Sequence, residues 1–147
     1  MTTTNLKLLA TSEKDLRVIA AHLQDSIVIP KDTANLKKNR IFLIQLNRFM
    51  WEDVEKGVFR KNKRIRTVLK FDNVISILSK NIDTKNGKRF LDFLTIECSL
   101  LPDKSYEINL IFSGDTMIRV EAEVIEVTLD DQGSPWESKV KPKHKFL

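Results

Sequence analysis

The chain has few of the residues that support specialised chemistry. Among its 147 residues are one cysteine, two histidines and four glycines. A single cysteine excludes an intrachain disulfide and a cysteine-based zinc site. Metal ligation needs several convergent donor groups, nucleophilic catalysis needs an activated side chain beside a base, and phosphate-cradling loops need clustered glycines. The sequence therefore offers no metal site, no cofactor site and no catalytic residue, which favours a non-enzymatic protein.

Long apolar runs are also missing. No run approaches the ~20 residues of a membrane span, and the first residues lack the basic and apolar regions of a secretory signal. We therefore expect a cytoplasmic protein without membrane contact. A chain of this length fits one domain, and we predict a globular domain over residues 1–136 followed by a basic, flexible tail over 137–147.

Positive charge is concentrated in two segments. The net charge is +5, yet residues 56–70 alone contain seven basic side chains and no acidic one. The tail adds four lysines against Glu137. The rest of the chain must therefore be mildly acidic, and this asymmetry says more about partners than the total charge does.

Helical spacing is confined to the first part of the chain. Ser12 is a candidate N-cap, and Asp15 stands in the position of a capping box. A stripe of apolar residues then recurs every three or four positions, and it comprises Leu16, Ile19, Ala20 and Leu23. This pattern predicts a helix over about residues 12–24.

After the helix the hydrophobic period changes to two, which is typical of half-buried strands. The predicted strands are, in chain order, Ile27–Ile29, Phe42–Leu46, Ile65–Phe71, Val74–Leu78, Phe90–Cys98, Tyr106–Phe112 and Ile118–Val124. The alternation shifts after Leu46, which predicts a bulge near Asn47–Arg48. Asp72–Asn73 predicts a kink, and Asn86–Gly87 a tight turn. Residues 120–129 favour a strand, although their spacing also fits a helix.

Successive hairpin-like units indicate an antiparallel sheet. The predicted fold is therefore α+β and mostly β, with an N-terminal helix and about six or seven strands. Such a sheet must cover one face with the helix or curl into a sandwich or partial barrel.

Several segments together resemble a known family. They are LKLLA at 6–10, DLRVIAAHLQD at 15–25, LNRFMWE at 46–52, LKFDNV at 69–74, FSGD at 112–115, IRVEAEVI at 118–125 and GSPW at 133–136. The chain is similar to an uncharacterised family of small, mainly alphaproteobacterial proteins, described as a domain of unknown function. The resemblance implies a self-contained domain and supplies no activity.

The basic segment is the strongest functional candidate. Five of its side chains could track a phosphate backbone, namely Arg60, Lys61, Lys63, Arg64 and Arg66. Phe59 and Trp51 lie close in sequence and could stack on bases. A lysine-rich loop also protects an ordinary hairpin, so a solvated basic loop over Lys56–Lys63 is the alternative.

Other singled-out residues fit structural roles. His22 belongs on the solvated side of the helix, and Cys98 alternates with apolar neighbours as a small buried hydrophobe does. Glu121 and Glu123 fit the outward face of a strand. Trp136 either latches the terminal segment onto the body or belongs to an exposed protein contact.

Three functions stay open at this point. The leading hypothesis is a binding or assembly domain that meets a protein partner, or a second copy of itself, through an edge strand or an apolar patch. The alternative is an RNA- or DNA-associated protein that uses residues 56–70. A second alternative is a small-molecule binder whose pocket inside the sheet uses Asp92 or Gln45 as an inward-facing polar group.

Overall fold

The structure is a computed structural model that describes residues 5–51, 63–82 and 90–137. Within these ranges one α-helix, α1, spans Glu13–Leu23, and ten strands form one sheet. The strands are β1 (Lys7–Ala10), β2 (Ile27–Val28), β3 (Thr33–Leu36), β4 (Ile41–Phe49), β5 (Lys63–Phe71), β6 (Val74–Lys80), β7 (Leu91–Leu100), β8 (Tyr106–Phe112), β9 (Thr116–Ala122) and β10 (Val127–Glu137).

The sheet has two halves joined by a very short strand. Its order is β1–β10–β5–β4–β2–β7–β8–β9–β6, and β3 pairs with β4 beside β2. Ile27 of β2 pairs with Asn47 of β4 on one side and with Asp92 of β7 on the other. The sheet is not closed, so β1 and β6 form its two ends.

Two long strands cross from one half to the other through paired bends. The chain passes from β5 to β6 at Asp72–Asn73 and from β9 to β10 at 123–126. Asn73 adopts a left-handed backbone with φ of 58°, which Asn tolerates better than most residues. Its Nδ2 donates to Glu126 Oε2 at 2.8 Å, and the Glu123 amide donates to the Asn73 carbonyl at 3.0 Å. The bends therefore support each other, and the predicted kink is confirmed.

Helix α1 covers part of the inner face of the sheet. Its Ser12 cap is confirmed, since Ser12 Oγ accepts from the Asp15 amide at 3.2 Å. The Asp15 carboxylate accepts from the Thr11 amide at 3.0 Å, and this hydrogen bond lowers the pKa of Asp15. The helix packs on β7 and β1, and its buried stripe is Leu16, Ile19, Ala20 and Leu23.

The predicted α+β, mostly-β class with one helix and a large antiparallel sheet is confirmed, whereas the predicted strand number is wrong. Ten strands are present instead of six or seven. Prediction missed β1 and β3 because a four-residue strand is too short to show a clear period. It also missed β10 as a separate strand, because its residues from Asp130 onward are mostly polar. Residues 120–129 form neither one strand nor a helix, because β9 ends at Ala122 and β10 begins at Val127.

The bulge predicted near Asn47–Arg48 is wrong. β4 pairs with β5 in one unbroken register from Phe42 to Phe49. Alternation along β4 points Arg48 inward and Phe49 outward, and both are buried. Trp51 covers Phe49, with their ring centroids 4.7 Å apart. The hydrophobic pattern shifts because a second apolar cluster lies on the outer face.

In β7 the alternation of the sequence predicts Phe90, Leu94, Ile96 and Cys98 on one inner face, and this prediction is wrong in the first half of the strand. A register shift follows Phe93, so the inward positions are Leu91 and Phe93 before it and Ile96 after it. Phe90 is therefore exposed, as is Asp92. The bulge explains why β7 has apolar residues at both odd-numbered and even-numbered positions.

An ion pair between Arg48 of β4 and Asp131 of β10 lies wholly inside the protein. Arg48 Nε donates to Asp131 Oδ1 at 2.8 Å and Nη2 donates to Oδ2 at 2.7 Å, and the two side chains are 0% and 1% exposed. Asp131 Oδ2 also accepts from the Leu6 amide at 2.8 Å, and the Leu6 carbonyl accepts from the Asp131 amide at 2.9 Å. The pair thus joins β4, β10 and the chain that enters β1.

Replacing Asp131 with Asn should strongly destabilise the fold. Asp131→Asn leaves the Arg48 charge buried without its counter-charge, a change that costs about 3–5 kcal/mol of unfolding free energy. Urea denaturation followed by circular dichroism measures the loss. The control is Asp130→Asn at the neighbouring outward position, which should change stability by no more than about 0.5 kcal/mol. Equal losses of unfolding free energy for the two substitutions would show that the ion pair does not stabilise the fold as argued.

Candidate functional site

Strand β6 is an unusually apolar edge. Among the described strands its hydrogen-bonded neighbour is β9 alone. Ile75 and Leu78 are 49% and 62% exposed, and a register shift between Val74 and Ser76 bends the strand at its start. Edge strands are usually protected by charged side chains, but Lys80, at the far end, is the one charged residue of β6. The edge is therefore suited to pair with another strand.

A groove of about 610 Å³ runs between β6 and β3. Asn35 and Lys37 line it from the β3 side, and residues 74–77 line it from the β6 side. Because β3 pairs with β4 and β6 with β9, two strands face each other across the groove without pairing.

Arg40 closes one end of this groove. Its carbonyl accepts from the Val74 amide at 2.9 Å, and its Nε donates to the Val74 carbonyl at 3.4 Å. Its Nη2 also lies 2.7 Å from Glu123 Oε1. Arg40 has a left-handed backbone with φ of 58°, and this turn directs the chain from the 3₁₀ turn Lys37–Asn39 into β4.

Beyond its middle the groove adjoins a smaller, apolar cavity of about 160 Å³. Asn35 and Ile77 line both spaces. Much of the cavity wall is formed by buried core side chains, which are Val28, Phe42, Leu91 and Ile118. The combined site therefore offers strand edges, a basic end and an apolar cavity in one row.

The structure describes three of the five predicted nucleic-acid contacts. Arg60 and Lys61 lie outside the described residues. Lys63 is half-buried at the start of β5, Arg66 is exposed on the same strand, and Arg64 is buried. The three described side chains therefore do not form one basic surface, and nucleic-acid contact through the basic segment stays a prediction.

Arg64 contributes to internal packing. Its Nη1 donates to the carbonyls of Asp25 at 3.2 Å and Asn47 at 3.1 Å. Its guanidinium carbon lies 5.8 Å from the centroid of the Phe49 ring. Burial lowers the pKa of Arg64, and the charges of Asp25 and Asp92 partly offset that effect. Its charge is thus directed into the protein and away from a phosphate backbone.

The two tryptophans lie near this outer cluster. Trp51 is half-buried, and its Nε1 donates to the Gln24 carbonyl at 2.8 Å. Trp136 of β10 lies opposite Arg64 in the sheet and is 41% exposed. Trp51 is therefore held by packing, while Trp136 leaves part of its ring accessible.

The polar groups proposed for an internal pocket do not point inward. Asp92 is exposed, and Gln45 lies on the outer face of β4 because its neighbours Ile44 and Leu46 are buried. The described residues contain no group of three or more His, Cys, Asp or Glu side chains that could hold a metal ion. No helix in the same ranges is long and apolar enough to cross a membrane.

Cys98 is half-buried and packs against the hydrophobic core. Burial raises the pKa of its thiol to about 11, and the nearby charge of Glu13 acts in the same direction. The thiolate is the reactive form of cysteine. The environment therefore suppresses the reactivity of this thiol.

Alkylation should reveal the suppressed thiol directly. At pH 8 we expect iodoacetamide to modify Cys98 about a hundredfold more slowly than in the urea-unfolded chain, since each pKa unit changes the thiolate fraction about tenfold. The rate should rise with pH to a midpoint near the folded pKa of about 11. Mass spectrometry of quenched samples gives both rates, and equal rates in the two states would contradict the assignment.

Sequence analysis did not find the groove. The polar run at residues 37–40 predicts only a turn between strands, and the alternation at 74–78 predicts only an ordinary strand. One signal was available, because Ile75, Ile77 and Leu78 put apolar side chains on both faces of one strand. The facing position of β3 had no signal, since it depends on how distant strands pair.

Comparisons with known proteins place the whole domain in one family. Neither the curated proteins nor the solved structures contain a match to this chain. A family model described as a protein of unknown function matches residues 6–144, which span almost the entire chain and include every strand of the sheet. The chain therefore belongs to the DUF2948 family of proteins of unknown function.

Proposed function

We propose that this chain is a protein-binding domain that takes an extended segment of another polypeptide along β6. The observation that carries the proposal is a seven-residue edge strand with exposed Ile75 and Leu78 that faces β3 across a groove without pairing to it. Strand addition supplies affinity through main-chain hydrogen bonds and specificity through pockets for alternate side chains. The groove and the adjoining cavity provide both elements.

The other end of the sheet supports this proposal less well. β1 has four residues and is also an edge. It begins with Lys7 and exposes Leu9, but none of its residues lines the groove or the apolar cavity. A strand added there would gain fewer hydrogen bonds, because the available edge is about half as long. We therefore assign the binding role to β6. We also propose that the domain works in the cytoplasm.

Site-specific photo-crosslinking in cells of the native host tests this function. A benzophenone amino acid replaces Leu78 in one variant and Val18 of α1 in the other, because their exposed fractions are comparable at 62% and 50%. We expect a discrete product from position 78 that is absent from position 18. Peptide mapping should place the attached residue within one short segment of the partner.

Two results would contradict the proposal. The first is a set of identical products from the two positions, which would indicate collisions of an exposed side chain with abundant proteins. The second is the lack of any product from position 78 when the protein is expressed at its natural level. A product of two copies of this chain would still support strand addition, with a second copy as the occupant.

A further inference from the structure

The groove beside β6 has chemically different ends. At one end the charged lining residues are Lys37, Arg40 and Glu123. At the other end the adjoining cavity has Phe42, Leu91 and Ile118 in its wall, and none of its lining residues is charged. An occupant that runs the length of β6 would therefore meet cations first and an apolar cavity next, or the reverse.

The charged end is basic overall. Of its three charged lining residues, Lys37 and Arg40 are basic and Glu123 is acidic. Arg40 pairs with Glu123 across the groove at 2.7 Å, so most of the charge of this acid is already matched. Lys37 lines the groove and is exposed, which leaves its ammonium group as the main charge presented to an occupant. Electrostatic complementarity therefore favours an acidic segment.

The uncharged end suits one aliphatic side chain. A cavity of about 160 Å³ is too small for a drug-sized ligand, which usually occupies about 300–1,000 Å³. Ser79 and Thr33 line it from the facing strands β6 and β3. A leucine, isoleucine or valine of an added strand could enter it and bury apolar surface, at about 25 cal/mol per Å².

The same charges disfavour a second copy as the occupant. If β6 of one copy paired antiparallel with β6 of another, Lys80 of each copy would approach the end that carries Lys37 and Arg40. β6 itself contains no acidic residue. Like charges brought together at an interface suppress pairing, so self-association through this edge is the poorer match.

We infer that the occupant is an extended acidic segment of another protein with one aliphatic anchor, an inference that rests on the proposed function. β6 runs from the basic end at Val74 to the cavity end at Ser79. A segment antiparallel to β6 runs the opposite way, so its anchor precedes its acidic residues. Ile75 lines the basic end and Ser79 lines the cavity, four residues further along β6. Because both strands rise by about 3.3 Å per residue, the acidic residues of the occupant should follow its anchor by about two to four residues.

Selection from a phage-displayed library of random ten-residue peptides on the full chain tests this inference. Enriched peptides should share an aliphatic residue followed, two to four positions later, by aspartate or glutamate. A fluorescein-labelled peptide with one leucine, one threonine and two glutamates in that order then gives affinities by fluorescence anisotropy. Exchange of both glutamates for glutamine, or of the leucine for alanine, should weaken binding about tenfold each, which corresponds to about 1.4 kcal/mol.

Two lysines of the same 3₁₀ turn provide a matched pair of protein variants. Lys37 lines the groove, whereas its neighbour Lys38 does not. Lys37→Glu should weaken binding of the acidic peptide at least tenfold and leave the glutamine peptide unaffected. Lys38→Glu makes the same change of net charge and should alter either affinity less than about threefold. Circular dichroism of both variants shows whether the fold is retained.

The possible failures are distinguishable. Enriched peptides that bind at β6 but show no preference for acids, or show the reverse order, would overturn the inference and leave strand addition in place. Equal effects of Lys37→Glu and Lys38→Glu would do the same. A stable dimer with β6 covered would overturn the inference in favour of a second copy. If no peptide is enriched and none binds, both the inference and the proposed function fail.

Discussion

The paired bends at Asp72–Asn73 and 123–126 are the constraint on which the rest of the architecture depends. Before its bend, β5 is paired on both sides, with β10 and β4. After the bend, β6 is still paired on one side, because the paired bend at 123–126 places β9 beside it as β10 lies beside β5. On the other side no described strand pairs with β6, because β4 begins at Ile41. Two hydrogen bonds between Arg40 and Val74 are the last link on that side. Every backbone amide and carbonyl of a strand needs a partner or water, so the bend itself creates an open edge and the groove beside it.

A second constraint fixes the half of the sheet opposite that edge. Two charges in the interior are tolerated because the Arg48 guanidinium and the Asp131 carboxylate meet in a two-point contact and the Leu6 amide binds one of the same oxygens. A shift of β10 by one residue would turn Asp131 outward and leave Arg48 buried alone. The ion pair therefore favours one register of β10 and β1. That register also places Val127 opposite Phe71, beside the bend.

Sequence alone predicted the elements whose residues share one periodic pattern. The helix, its Ser12 cap and the kink at Asn73 were each predicted from neighbouring residues, and each is confirmed. The predicted bulge in β4 and the predicted inner face of β7 failed where the structure adds something non-local. In β4 the outer face carries its own cluster around Phe49 and Arg64, and in β7 a bulge exchanges the two faces. The groove was beyond prediction because it depends on the distance between β3 and β6, which no local pattern of residues encodes.

The proposed binding role requires that β6 is a formed strand and that the edge which faces away from β9 is open, as it is among the described strands. Amide hydrogen exchange followed by NMR tests it residue by residue, because amides that bond β9 are protected and amides on the open side exchange with water. We expect slow and fast exchange in alternation along residues 76–80, beside uniformly slow exchange in the interior of β5. Uniform protection of β6 would show that its edge is already covered, and uniform fast exchange would show that the strand does not form. Either result would contradict an open strand edge at β6.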